Sequence, residues 1–403
     1  MIITNGNVFF NGKFSKLDIL IEDEKIIKVG NQISADGEER VDATELVVLP
    51  GLIDLHVHLR EPGAEYKEDF NSGTMAAVAG GITNIFDMPN NRVAITTAKL
   101  MREKIALAER KKHCKIGFYL GAATGNENEW KAIADEKRFS GLKVYMGQTT
   151  GSLLVRNDAE LESHFSGFDA NRPIVVHAED QKMLESEGRT EGAALSAVGK
   201  ACALGRKYGK KLHIAHASTG KEVELAKRTY ANCTLETCPH YLFLDENDWA
   251  HLGYRKAVNP PLRKPETRKA LWGYLDSIDC ISTDHAPHTL EDKQSGASGY
   301  PGLETSLALM LDAYNRKLIT MERIVQMMSE NPARIIGLDR NGKIAEGAVA
   351  DITIIDPKKE WVVKEEELET KCKWSPFNGK ILKGKAVKTI VDGKIVFEDD
   401  AIR

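Results

Sequence analysis

The sequence predicts an α/β protein: a (β/α)8 barrel with a small β-sandwich formed from both chain termini. Three observations predict it. Eight short apolar, strand-like runs alternate with helix-patterned stretches through the middle of the chain. The two ends instead alternate apolar and polar residues and carry turn dipeptides. Histidine, lysine or aspartate recurs near the C-terminal ends of several middle strands, the face on which barrels of this kind carry their sites.

Residues 1–49 read as short antiparallel strands. DILIEDEKIIKVG alternates in polarity, and Asn5-Gly6 and Asn11-Gly12 supply turns. Residues 340–403 repeat the pattern in GKIAEGAVADITIIDP and KTIVDGKIVFEDD, with Asp392-Gly393 as a hairpin turn. Neither end is long enough to close a good core alone, so the two are expected to pair into one sandwich. Residues 50–339 are left for the barrel.

The barrel strands are expected at LIDLHVH (52–58), ITNIFDM (82–88), KIGFYLG (115–121) and GLKVYM (141–146). Four more follow at PIVVHAE (173–179), KLHIAHA (211–217), TLETCPH (234–240) and DCISTD (279–284). TAKLMREKIALAERK, LSAVGKACALGRKYG and GKEVELAKRTYA are among the helical stretches between them. The count of eight favours a closed barrel over its rival, a doubly wound open sheet.

The bulk numbers exclude several classes. Charged residues make up 28% and hydrophobic ones 42% of 403, which is ordinary for a soluble protein. A net charge of −4 argues against nucleic acid or an anionic membrane as partner. MIITNGNVFFNGKF has no basic segment leading into an apolar stretch, so no signal peptide is read. No window approaches the ~18 apolar residues of a membrane span. The six cysteines form no CxxC pair and read as buried free thiols in a reducing cytoplasm, a cysteine zinc site being the lesser reading.

The polar residues at strand ends carry the functional argument. Asp54, His56 and His58 lie on the first strand, and Lys143, His177, His216 and Asp284 on later ones. Residues two apart on a strand point the same way, so His56 and His58 project together, as two ligands of one metal would. A lone strand histidine is more often a packed core residue. The recurrence at equivalent strand ends favours ligation, and imidazole with carboxylate suits zinc and similar cations. Lys143 has two readings. It could form a buried ion pair with Asp284 or another carboxylate. Alternatively, desolvation could make it a neutral amine that adds carbon dioxide, giving a carbamate able to bridge two metals. The absence of an aspartate at this strand end favours the second.

PGLIDLHVHLREPG (50–63) resembles the first-strand signature of the amidohydrolase superfamily, in the extended form of the dihydroorotases. MPN (88–90), VNPPLR (258–263), STDHAPHTLEDK (282–293) and PGLET (301–305) are similar to further dihydroorotase motifs, and together they span the barrel. The resemblance implies the reversible cyclisation of N-carbamoyl-L-aspartate to L-dihydroorotate in de novo pyrimidine biosynthesis. It implies two divalent metal ions, zinc by default. His56, His58 and Asp284 would hold the first, His177 and His216 the second, and carboxylated Lys143 would bridge them. A metal-bridging hydroxide would attack the ring, with Asp284 as proton shuttle. Arg60 and Asn90 would hold the substrate carboxylate. Asn259 and His288 would contact substrate, and the backbone at Pro301 and Gly302 would line the ring pocket. A guanidinium offers a planar fork to a carboxylate, which suits Arg60 to that role; a surface salt bridge with Glu61 or Glu65 is the lesser reading.

The chain departs from the family in two places. Many bacterial dihydroorotases of this type carry aspartate at the position of Lys143, and here the chain looks more like the dihydroorotase domain of the animal multifunctional pyrimidine protein. The lid loop of that group carries Thr-Phe, whereas GQTTGSLL keeps Thr149 and has Thr150 in place of the phenylalanine. Thr149 is read equally as a lid contact or a polar loop tip. His240 is read as lying behind the metals or substrate, or as a structural histidine. His113, His164 and His213 are read as surface or packing residues, and His285 receives no role.

Two other functions remain in view. A hydantoinase or dihydropyrimidinase would use the same centre on rings without a carboxylate, so it would not need Arg60 and Asn90. A non-catalytic scaffold for a carbamoyltransferase would be expected to have lost metal ligands, and here all six positions are filled. Family members are often dimers, so the resemblance implies a homodimer acting on a small molecule.

Overall fold

In the N-terminal segment β1 (Ile2–Phe10), β2 (Lys13–Glu22), β3 (Lys25–Gly30), β4 (Arg40–Asp42) and β5 (Val47–Pro50) follow one another closely. This computed structural model describes residues 1–34, 37–169 and 171–403. The hairpin between β1 and β2 turns on Asn11 and Gly12, both at positive φ (51° and 77°), which matches the strand twist. Asn5-Gly6 is not the turn expected from its sequence. It lies inside β1 as an irregularity in the pairing with β2, with Asn5 at φ 63°. A Cβ on Gly6 would lie 2.6 Å from Cγ2 of Val48, so the position has no room for a side chain.

The C-terminal strands are β14 (Ile352–Val362), β15 (Ile381–Val391), β16 (Lys394–Glu398) and β17 (Ala401–Ile402), numbered after the eight barrel strands. Asp392 and Gly393 (φ 49° and 73°) turn β15 into β16 as expected. The two ends meet where β5 pairs antiparallel with β14, from Ile352↔Pro50 to Ile355↔Val47. All nine terminal strands thereby form one sheet. Its two faces follow the period of two. Val48 packs with Ile3, Ile19, Ile352, Ile354 and Ile390 in a core of the terminal unit. Val47 and Leu49 face the other way, into the large core shared with the barrel.

The barrel strands are β6 (Leu52–Val57), β7 (Ile82–Asp87), β8 (Lys115–Gly121), β9 (Phe139–Tyr145), β10 (Ile174–His177), β11 (Leu212–Ile214), β12 (Thr234–Thr237) and β13 (Cys280–Ile281). They are parallel and lie side by side in chain order. A parallel bridge between Val57 and His285 joins the first strand to the chain just past the last. There the His58 amide donates to the His285 carbonyl at 2.7 Å. The three helical stretches form as Ala98–Ala108, Glu191–Tyr208 and Gly220–Thr229. Each starts on a threonine (Thr97, Thr190, Thr219) whose side chain accepts from a backbone amide of the first turn. All six cysteines are buried and free.

Candidate metal centre and active site

Alternation along the strands decides what faces the barrel interior. Leu142 and Val144 pack into the large outer core, as do Ile174 with Val176, Leu212 with Ile214, and Leu235. Their neighbours Lys143, His177, His213 and Glu236 therefore point the opposite way. His216 would face outward if the extended run continued. Its φ of 41° breaks the run and returns the ring to the interior. Asp284 and Arg60 also sit at positive φ, 47° and 64°. Each such non-glycine residue costs on the order of 1–3 kcal/mol, so three at one site mark backbone held against its preference by its surroundings.

His56, His58, Lys143, His177, His216 and Asp284 line a single pocket at the C-terminal ends of the strands. Asp284 Oδ1 lies 2.9 Å from His58 Nε2 and 3.3 Å from His56 Nε2. The ligand atoms of these three residues all lie within 4.8 Å of one another. His177 Nδ1 faces His216 Nε2 at 2.8 Å. Lys143 Nζ is 3.5 Å from His56 Nε2 and fully buried. Among the described residues it makes no ion pair with a carboxylate. Lys104, also fully buried, has Asp87 at 2.8 Å.

Burial governs the protonation of the cluster. It pushes His56 down to about 4, with Lys143 adding to the effect. It lowers His177, and it carries His58 and His216 well below the usual imidazole range. Lys143 falls to about 8 by desolvation, opposed by Glu236 and Asp284. Four neutral imidazoles and a carboxylate with converging lone pairs are a donor set that fits a divalent cation.

The expected substrate contacts divide. Arg60, Asn90 and Asn259 line the same pocket, with Thr149 and Thr150 across it. Arg60 is buried, and its Nε donates to the Pro287 carbonyl at 3.1 Å. Asn90 joins two parts of the site: its Oδ1 lies 2.6 Å from His58 Nδ1, and its Nδ2 donates to the Thr150 carbonyl at 2.9 Å. Asn259 Nδ2 donates to Thr149 Oγ1 at 3.3 Å. His288 stands behind Arg60, its Nε2 3.0 Å from Nη2 of the guanidinium. Pro301 and Gly302 border an adjoining crevice with His285, while Ser298 and Gly299 supply that loop's part of the pocket wall. His240 is the second residue of the short helix Pro239–Phe243, ring to ring with Tyr241 and Tyr300, and its buried Nε2 has no partner among the described residues.

Several residues with no role at the site assigned from sequence surround this centre. Glu236, fully buried, joins His56 to His213. Glu179 accepts from His177. Asp54 accepts the amides of His56 and Thr283, and burial raises its carboxyl to about 7. His285 takes the Gly302 amide on Nδ1 at 3.1 Å, and its Nε2 lies 3.3 Å from Glu68. The available signal was a carboxylate inside an apolar strand run, as in TLETCPH and PIVVHAE.

Comparison with known proteins agrees with this geometry. The model of the amidohydrolase family matches residues 47–396. The chain is 40% identical over 403 residues to a dihydroorotase of Thermococcus kodakarensis, covering 100% of this chain and 95% of that protein. It is 37% identical over 372 residues to the multifunctional protein CAD of Squalus acanthias, covering 90% of this chain and 15% of that one. Among solved structures, the L-hydantoinase (dihydropyrimidinase) of Arthrobacter aurescens matches with a TM-score of 0.94 at 28% identity, covering 100% of this chain and 97% of that one. With its barrel, its strand-end histidines and its full-length likeness to dihydroorotases, the chain belongs to the amidohydrolase family, in its dihydroorotase branch.

Proposed function

We propose that the chain catalyses the reversible cyclisation of N-carbamoyl-L-aspartate to L-dihydroorotate in de novo pyrimidine biosynthesis. One observation carries this reading: a buried guanidinium, that of Arg60, shares the pocket of the histidine–aspartate cluster with Asn90. A buried cation beside a metal-ligand set suits a substrate with a carboxylate and is wasted on an uncharged ring. The hydantoinases among the structural neighbours share the fold and support the alternative only that far.

The centre we infer would hold two zinc ions, the first by His56, His58 and Asp284 and the second by His177 and His216, with carboxylated Lys143 as a further ligand. Bound there, they would lower the pKa of the attacking water and polarise the ring carbonyl. Arg60 and Asn90 anchor the carboxylate and so fix the position of the ring. Asp284, within reach of both His56 and His58, takes the proton released on attack and passes it to the leaving amide nitrogen. His288 packs against Arg60: its Nε2 lies 3.0 Å from Arg60 Nη2 and 3.1 Å from the Ser298 carbonyl, and its Nδ1 lies 3.2 Å from Lys67 Nζ.

The reading implies a homodimer in the cytoplasm. Six buried free cysteines suit reducing surroundings, and among the described residues no helix is long and apolar enough to cross a membrane. The deciding experiment measures metal per chain and dihydroorotate hydrolysis on one purified sample, with hydantoin and dihydrouracil alongside. About two ions per chain with a preference for dihydroorotate supports the proposal. A preference for uncharged rings transfers it to the hydantoinases. No metal and no turnover after adding zinc and bicarbonate leaves a scaffold.

A further inference from the structure

His177 has a buried carboxylate behind it, as His56 has in Glu236, but this one is tied in turn to the segment beside the pocket. Its Nε2 lies 3.0 Å from Oε2 of Glu179, which is fully buried two residues further on. The carboxylate accepts, so Nε2 carries the ring proton and Nδ1 is left as the lone pair facing His216. The same carboxylate oxygen receives Nη1 of Arg189, a partly exposed side chain. The other terminal nitrogen of Arg189 donates to the backbone carbonyl of Gln148. Arg263 Nη1 in turn holds the Arg189 carbonyl at 2.8 Å.

Gln148 opens the segment that crosses the pocket. The next two residues make the pocket-side contacts, Thr149 with Asn259 and Thr150 with Asn90. Three consecutive residues thus join the substrate wall to the back of His177 through one guanidinium.

We propose that Arg189 and Glu179 form a relay that couples the seating of residues 148–150 to the hold of His177 on its metal. With Gln148 in place, Arg189 pins Glu179 against the imidazole, and Nδ1 stays aimed at the ion. When the segment lifts, Arg189 loses one of its two anchors and the carboxylate is free to swing. Arg189 and Glu179 are positioning residues that touch neither substrate nor metal. The inference rests on the metal site proposed above.

The test is the rate at which zinc-loaded protein releases zinc to a coloured chelator, with and without saturating L-dihydroorotate. It is run on wild type, Arg189→Met, Arg189→Lys and Glu179→Gln, with circular dichroism to verify folding. Wild type is expected to release zinc more slowly when dihydroorotate seats the segment. Arg189→Met and Glu179→Gln are expected to release one of the two zinc ions about 10–100-fold faster. In Arg189→Met the ligand should no longer slow release, and Arg189→Lys should restore part of the effect. If Glu179→Gln fails to fold, the partly exposed Arg189 carries the test alone. Equal release rates in wild type and Arg189→Met, slowed equally by ligand, overturn the relay while leaving the proposed function standing. A wild-type chain that takes up no zinc overturns both.

Discussion

His56 Nδ1 lies 2.5 Å from Oε1 of Glu236, so the first ring of the cluster is fixed from behind by a carboxylate that never reaches the pocket. The other oxygen of Glu236 meets His213 Nε2 at 3.1 Å, and Oε1 also takes the His216 amide at 3.3 Å. Burial alone would push this carboxyl up, yet His56 and His213 hold it well below its ordinary range. One anion thereby sets the tautomer of His56, tethers the backbone of His216 and makes His56 a stronger donor.

Glu236→Gln keeps the size and removes the charge. Metal affinity is expected to fall about 10–100-fold, the range typical for a lost partner behind a ligand. Competition with a chelator of known affinity measures it. An unchanged affinity would mean that packing alone fixes His56.

The sequence carried the barrel, the pairing of its ends and the inward set of His56, His58, Lys143, His177 and Asp284, because all follow from counting strands and alternation. His216 was legible as a strand-end histidine, but not for the right geometric reason. Its inward direction depends on a positive φ that alternation does not contain. Glu236 was not singled out and His213 was read as a surface or packing residue, because their pairing is visible only beside each other, on neighbouring strands. The split between Ser298–Gly299 and Pro301–Gly302 was illegible for a similar reason, since it depends on how a loop lies across the barrel mouth. Asn5-Gly6 misled because the same dipeptide serves a bulge as well as a hairpin.

Arg60→Ala should act mainly on binding. A hydrogen bond to a charged group contributes about 1.5–3 kcal/mol, which is roughly 10–100-fold in KM for dihydroorotate. Turnover on any neutral ring that the enzyme accepts should change far less. Steady-state kinetics on both substrates checks the contrast, and an unchanged KM for dihydroorotate would remove Arg60 from the carboxylate site. Arg60→Lys should recover little, because one ammonium does not reproduce the fork.

Among the described residues, buried Lys143 has no carboxylate partner of the kind that Lys104 has in Asp87. If it works as a carbamate, Lys143→Ala should drop metal content from about two ions to about one. Turnover should fall roughly 10²-fold or more, since an electrostatic element of the site is lost. Acetate or propionate, small enough to enter the space vacated, should restore part of both. Metal analysis and rates with and without the acid decide it; a variant with full metal content would leave the lysine a structural cation.

Lys293 is the third fully buried lysine, and its protonation should be visible in stability. Its Nζ donates to the carbonyls of Ala257 at 2.6 Å, Ala297 at 2.8 Å and Gly299 at 3.1 Å, under the rings of Tyr300 and Trp374. Desolvation, with Arg60 adding repulsion, lowers it to about 7. The unfolded chain keeps this proton until about pH 10. Between those values the unfolded state binds more protons, so the contribution of this group to stability rises with pH, by at most about 1.4 kcal/mol per unit. Lys293→Met lacks the titration altogether. Urea unfolding of both proteins at pH 7, 8 and 9 should therefore show the wild type gaining on the variant as pH rises. Parallel curves would mean that the ammonium keeps its proton, held by the three carbonyls against the cost of burial.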